Sequence, residues 1–368
     1  SYNVALGSYA LTADTLGARN VAIGRSALQA QNFTSATSSY NTAMGYAAGA
    51  AVTTGLRNTY IGGLAGDEAT TANDNTGVGY GALSAPGTGT QNTAIGTAAL
   101  NVNTDGDNNT AVGRNALLAN TTADNNTGVG YSALRQNTTG ANNTASGGVS
   151  MYSNTTGADN TAYGYDALSG NTTASNNTAV GKAALKANTT GSSNVAVGRK
   201  ALLTNTTGQL NIAVGQDTLG LNTTGTHNTA VGETCMYSNT TASNNTALGA
   251  SALRANTTGH SNAAFGVNTL LLNTTGTQNT ALGTSALLAN TTGHLNVAVG
   301  ANSLDANTTG DANVAVGNNA LSAATTSDYN TAVGHNSGAA ITTGVQNVLI
   351  GGLAGDAFTE ASYNVAIG

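Results

Sequence analysis

Apolar residues in this chain follow neither a helical spacing nor a simple alternation. They return with a seventeen-residue period, in the unit Asn-Thr-Ala-Val-Gly-x-x-Ala-Leu-x-x-Asn-Thr-Thr-Gly-x-x. The opening Asn falls at Asn3, Asn20, Asn41, Asn58, Asn75, Asn92 and Asn109, and at every seventeenth position from there to Asn364. One spacing differs: the step from Asn20 to Asn41 is longer by a four-residue insertion around Phe33. The fifth position is Gly in all 22 copies, from Gly7 to Gly368. An internal period of this kind takes precedence over any local reading of secondary structure.

The copies can be compared with one another, and they show which positions are constrained. The fourth is usually Val, Ile or Leu, as at Val112, Ile95 and Leu248, with Tyr163 and Phe265 as bulky exceptions. The ninth is mostly Leu (Leu117, Leu134, Leu185), with Met151 and Met236 of similar volume. The third and eighth are mostly Ala, and the sixth and tenth hold almost anything. A unit of this length is too short, and too rich in Gly, Asn and Thr, for a pair of helices. It fits one coil of an all-β, parallel β-solenoid, with two strands of about five residues and two turns. Val and Leu are then expected inside. Asn and Gly suit the corners, because both tolerate left-handed backbone. Coils stack at roughly 4.8 Å, so the repeats predict a rod on the order of 100 Å long. The twelfth-position asparagines, Asn120 and Asn137 onward to Asn307, are placed to form an amide ladder.

Two coils depart from the unit: those starting at Asn41 and Asn58 carry Gly49 and Gly66 in place of Leu. The same variant pair returns at Gly338 and Gly355, a whole number of coils further along. Both ends of the sequence cut the motif, which is expected of a window on a longer polypeptide. With no composition break elsewhere, residues 1–368 read as one continuous repeat domain.

The segments Asn194-Val195-Ala196-Val197-Gly198-x-x-Ala201 and Asn20-Val21-Ala22-Ile23-Gly24-x-x-Ala27 resemble the YadA-like head repeats of trimeric autotransporter adhesins. They are equally similar to the Asn-Thr-Ala-x-Gly arrays of phage tail-fibre proteins and large bacterial surface proteins. The resemblance implies a left-handed parallel β-roll, assembled as a trimer, that presents a binding surface or serves as a shaft. The adhesin-head repeat is shorter, so one turn here is extended through Asn-Thr-Thr-Gly.

Strand alternation adds a reading of its own. Positions two and four point one way, and the small third and fifth positions the other. No third position is charged, so both faces read as covered. Ala111, Ala196 and Ala281 are therefore expected to face a neighbouring chain of a parallel homotrimer.

Composition narrows the function further. Only 7% of residues are charged and there is no Trp, unlike a compact globule. The net charge of -6 gives no electrostatic footprint for nucleic acid. The single cysteine, Cys235, excludes an intramolecular disulfide and reads as a small packed side chain. No apolar run reaches the roughly 18 residues of a membrane span, so no membrane insertion is expected.

Catalysis needs several unlike groups converging, and the repeats supply none. His260 and His294 share a ring position two coils apart, too far to share a metal. Asp105-Gly106-Asp107 lacks the later Gly and the terminal Glu of a Ca²⁺ loop and reads as a turn. The Asn-Thr-Thr triplets match a glycosylation sequon, but turn chemistry explains their regularity. No enzyme activity, cofactor or metal is expected. Candidate surface contacts for a cell-surface glycan or receptor are the sixth-position tyrosines Tyr46, Tyr80, Tyr131 and Tyr165. The basic cluster Lys182, Lys186, Arg199 and Lys200 joins them, its anionic target a glycan or lipopolysaccharide.

The expected function is a structural or adhesive extracellular fibre segment, the shaft or receptor-binding part of a phage tail fibre. The alternative is the head of a bacterial cell-surface adhesin. An ice-binding solenoid is a remote third, because Thr189 and Thr190 are consecutive and point to opposite sides.

Overall fold

The computed structural model describes residues 2–85 and 87–368. The chain packs as two compact units, Ser1–Thr190 and Gly191–Gly368, each a stack of the same coil. The fold is an all-β parallel solenoid, with no helix among the described residues.

Each coil contributes one strand of three residues, its second to fourth positions. In the first unit eleven such strands run from Val4–Leu6 to Thr178–Val180, and in the second eleven run from Val195–Val197 to Val365–Ile367. All pair parallel and in register within a unit: Thr110, Ala111 and Val112 lie against Thr127, Gly128 and Val129. Val195, Ala196 and Val197 lie likewise against Ile212, Ala213 and Val214. Beside the four-residue insertion the short strands Gly17–Ala18 and Thr37–Ser38 form a small parallel pair.

The fifth-position glycine has two reasons to be invariant. Gly113 sits at φ +134°, and a Cβ there would stand 2.4 Å from the carbonyl oxygen of Gly130 in the next coil. Gly198 is at φ +131°, with the Gly215 oxygen 2.5 Å from its Cβ site. Backbone therefore stacks on backbone where any side chain would intrude.

The expected second strand does not form. Positions six to eleven are a run of turns whose peptide groups point alternately up and down the stack. Asn115 N–H donates to Thr97 C=O of the preceding coil, and Leu117 N–H to Ala133 C=O of the following one. Left-handed backbone at the seventh and ninth positions produces this alternation, as at Asn115 (φ 59°) and Leu117 (φ 50°). A left-handed Leu costs about 1–2 kcal/mol. Burying its side chain returns roughly 1.5–3 kcal/mol, so the turn persists.

The inside of the coil also differs from the expectation. The third-position alanines Ala111, Ala196 and Ala281 are fully buried within one chain, together with the eighth-position Ala and ninth-position Leu. Fourth-position Val, Ile and Leu point outward: Ile95 is 42% exposed and Leu248 47%. The faces of the strand alternate as expected, but the alanine face is covered by the coil's own Leu, not by a neighbouring chain.

The interior leaves room for Ala opposite Leu and for little more, which explains the glycine variants. Tyr60 occupies a third position and is buried. Its ring lies 2.4 Å from where a Cβ of Gly66 would be and 3.2 Å from that of Gly49. Leu349 is the other large third-position residue in this arrangement, 2.7 Å from the Cβ site of Gly338 and 2.8 Å from that of Gly355. A large third residue thus requires glycine at the ninth position of its own and the preceding coil.

Two asparagine ladders flank this apolar strip. At the twelfth position, Asn137 Nδ2 donates to Asn120 Oδ1 at 3.0 Å, and Asn154 Nδ2 donates to Asn137 Oδ1 at 2.7 Å. Asn137 Nδ2 also donates to Gly140 C=O at 2.9 Å. The first-position ladder has a different pattern: Asn109 N–H donates to Asn92 Oδ1 at 2.9 Å, and its Nδ2 to Ala123 C=O at 2.8 Å. Beside them the threonines of position thirteen form a third column, with Thr121 Oγ1 donating to Thr138 C=O at 3.1 Å. Buried amides cost free energy unless hydrogen-bonded, and stacking identical residues at one spacing satisfies them coil after coil.

Candidate functional site

The surface on which a function can act consists of the open strand face and the sixth-position column that follows it. Second and fourth positions form the open face. No residue at either position is charged in any copy, and Ser146 is the one small polar residue at the fourth. Val129, Leu282, Val333 and Ile350 are all at least one-third exposed there. Tyr163 stands in the same row, 62% exposed. A solvated sheet face normally carries charged or large polar side chains. The sequence held this signal in its uncharged fourth position, but size alone had assigned that position to the core.

Tyr46, Tyr80, Tyr131 and Tyr165 all lie exposed on the sixth-position column of the first unit. Arg25, one coil before Tyr46, holds its guanidinium 5.9 Å from the centre of the Tyr46 ring. The basic cluster is divided between the units. In the first, Lys186 pairs with Asp166 at 2.8 Å, and the hydrogen bond and charge of Asp166 raise the ammonium above its ordinary pKa. Lys182 is exposed on the column beyond Tyr165. In the second unit, Arg199 pairs with Asp217 at 3.0 Å. Register alone matches Asp217 with Lys200, since both hold the seventh position. The longer guanidinium one residue earlier makes the bond, and Lys200 stands exposed beside it. Half of the cluster is therefore already neutralised.

The remaining chemical candidates take structural places. Asp107 accepts the Thr90 N–H at 2.6 Å, and Asp124 accepts the Asp107 N–H at 2.7 Å, so these carboxylates brace successive turns. His294 Nδ1 accepts the Thr277 N–H at 3.0 Å in the same manner. Among the described residues no three His, Cys, Asp or Glu side chains converge as a metal site. Cys235 is fully buried, and burial pushes its thiol up to about 12. The sequon asparagines Asn120, Asn137 and Asn154 are buried, with their side-chain amides hydrogen-bonded in the ladder. Burial pushes the Asp305 carboxyl above its usual range. Among the described residues no helix is long and apolar enough to cross a membrane. No protein-family model matches this chain, and a search of curated proteins finds no match to it.

Proposed function

We propose that this chain is a structural segment of an extracellular fibre, built from left-handed coils and assembled as a parallel homotrimer through its open strand faces. The shaft or receptor-binding part of a phage tail fibre is the leading reading, and the head of a bacterial surface adhesin the alternative. The observation that carries assembly is the uncharged strip, apolar at nearly every fourth position, with Thr, Val, Ile or Ala at the second. Three residues of strand by eleven coils cover on the order of 500 Å² in each unit. The apolar fourth-position row is about half of that area, close to the lower end of the largest apolar patch on a typical monomer, about 300–600 Å². The strip of one unit is over half of the roughly 800 Å² that one partner contributes to a standard interface. The number three comes from the resemblance to adhesin heads. The stacked backbone supports a spacing role, because each added coil extends the structure without needing a new core.

Light scattering of the purified segment tests the proposal, with a trimer mass expected at micromolar concentration. Val112→Asp with Val129→Asp places two carboxylates on the strip and should give a folded monomer with unchanged circular dichroism. A wild-type chain that is monomeric and folded at that concentration overturns the assembly. Tail fibre and adhesin are separated by the modules encoded around the segment: a tail-attachment module, or a signal peptide and outer-membrane anchor.

A further inference from the structure

The sixth-position column of the first unit reads Ser8, Arg25, Tyr46, Gly63, Tyr80, Thr97, Arg114, Tyr131, Gly148, Tyr165, Lys182. The order Arg-Tyr-Gly-Tyr occurs twice, five coils apart. The surface positions beside it do not repeat in this way. At the seventh position Ser26, Ala47, Leu64 and Gly81 correspond to Asn115, Ser132, Val149 and Asp166. At the tenth, Gln29, Ala50, Asp67 and Ser84 correspond to Leu118, Arg135, Tyr152 and Ser169. A block duplication would have copied every column, yet among these surface columns only the sixth retains the pattern.

The two quartets also share geometry. The second tyrosine of each comes down over the intervening glycine. Tyr80 Cδ2 and Cε2 lie 3.5 and 3.9 Å from the Cβ site of Gly63, and Tyr165 Cδ2 and Cε2 lie 3.5 and 3.8 Å from that of Gly148. Even so, the four tyrosines are 56–61% exposed. Each quartet is thus a strip of two aromatic side chains, about 10 Å apart along the stack, with no side chain between them and an arginine at one end.

We propose that the two quartets are equivalent binding subsites for an acidic polysaccharide. Pyranose rings place their C–H faces on the tyrosines, and a carboxylate of the sugar pairs with Arg25 or Arg114. A tyrosine ring offers an apolar face to a sugar and keeps a hydroxyl for its polar rim. A guanidinium supplies two parallel donors to a carboxylate. A nucleic acid also has ring faces and negative charge. However, one arginine per quartet on a chain of net charge -6 is a poor counterpart for a phosphate at every nucleotide. The quartets lie on the order of 24 Å apart, so one polymer chain can engage both, and avidity adds to weak single contacts.

The full chain is titrated, by affinity electrophoresis, against polygalacturonate and a sialic-acid polymer. Dextran serves as the uncharged pyranose polymer, and single-stranded DNA as the polyanion without pyranoses. Retardation by at least one acidic polysaccharide is expected, with weaker retardation by dextran and none by DNA. Tyr131→Ala with Tyr165→Ala should weaken binding about 10-fold or more, because bivalent engagement is lost. Tyr46→Ala with Tyr80→Ala should do the same, and all four together should abolish it. Gly148→Thr fills the gap between two tyrosines with a residue that Thr97 and Thr284 already place at this position, so it should weaken binding in a folded protein. Tyr329→Ala, exposed in the second unit, should change nothing. The proposal is overturned if neither acidic polymer is retained, if the quartet variants bind like wild type, or if DNA binds as well. Equal retention by dextran overturns the role given to the arginines.

Discussion

The narrow interior makes a quantitative claim about Tyr60 and Gly66 that a double-mutant cycle can decide. Tyr60→Ala empties a buried site, and loss of a large aromatic from a core costs about 3–5 kcal/mol. Gly66→Leu alone places a Cβ 2.4 Å from the Tyr60 ring and should cost about 1–3 kcal/mol or more. Backbone strain is not the obstacle, because Gly66 sits at φ +59° and Leu117 occupies the same position at φ +50°. Tyr60→Ala with Gly66→Leu recreates the Ala–Leu pair of the ordinary coil, so the double variant should be more stable than Tyr60→Ala alone. Coupling between such neighbours is about 0.5–3 kcal/mol. Repeat stacks open locally, so hydrogen exchange is the suitable assay. The amides to follow are Gly62, which donates to Met44 C=O, and Gly79, which donates to Ile61 C=O. In Tyr60→Ala their protection should fall by about two to three and a half orders of magnitude. It should recover in the double variant, by up to about 30-fold, once the coupling has offset the cost of Gly66→Leu. Costs that simply add would refute the compensation.

Four further outcomes follow from the same packing. Asn307 Oδ1 is buried without a partner because the next coil has Ala324 in the ladder, and Ser327 Oγ is buried unpaired beside it. Ala324→Asn would only hand the unpaired acceptor on, because the coil after it has Ile341 in the ladder; Ser327→Ala, a residue that Ala123 and Ala174 already place at this position, removes the unpaired hydroxyl and should stabilise by about 1–3 kcal/mol, read as a higher melting temperature. Gly198→Val meets the Gly215 oxygen and should cost the neighbouring coils their exchange protection, whereas Gly148→Ala should be silent. Asn137→Asp keeps the shape of the ladder but buries a carboxylate against Asn120 Oδ1. Its folded pKa should rise, so the variant should be most stable below about pH 4 and lose stability as pH increases, measured by denaturation across pH. Cys235, with its thiol raised to about 12, should resist alkylation at pH 8 in the native protein and react once it unfolds.

The sequence by itself determined the period, the parallel register, the need for Gly at the fifth position and the twelfth-position amide ladder. Those features follow from repetition: when identical residues return at one spacing, stacking in register satisfies every copy at once. Which face of the strand turns inward was not legible. A strand of three residues, Thr110–Val112, alternates the same way whichever side is buried. Side-chain size favoured Val over Ala for the core. The tertiary structure decided otherwise, because left-handed backbone at Leu117 turns that side chain into a space only wide enough for Ala111 opposite it. Tyr60 and Leu349 obey the same limit, each buried inside only where glycines replace the Leu. The second amide ladder went unread because a first-position Asn looks the same whether it caps a turn or donates into the next coil. Only the stacked backbone, which brings Asn109 N–H to Asn92 Oδ1, settles that. The larger apolar residues are left outside for the same geometric reason: the coil is too narrow to hold them.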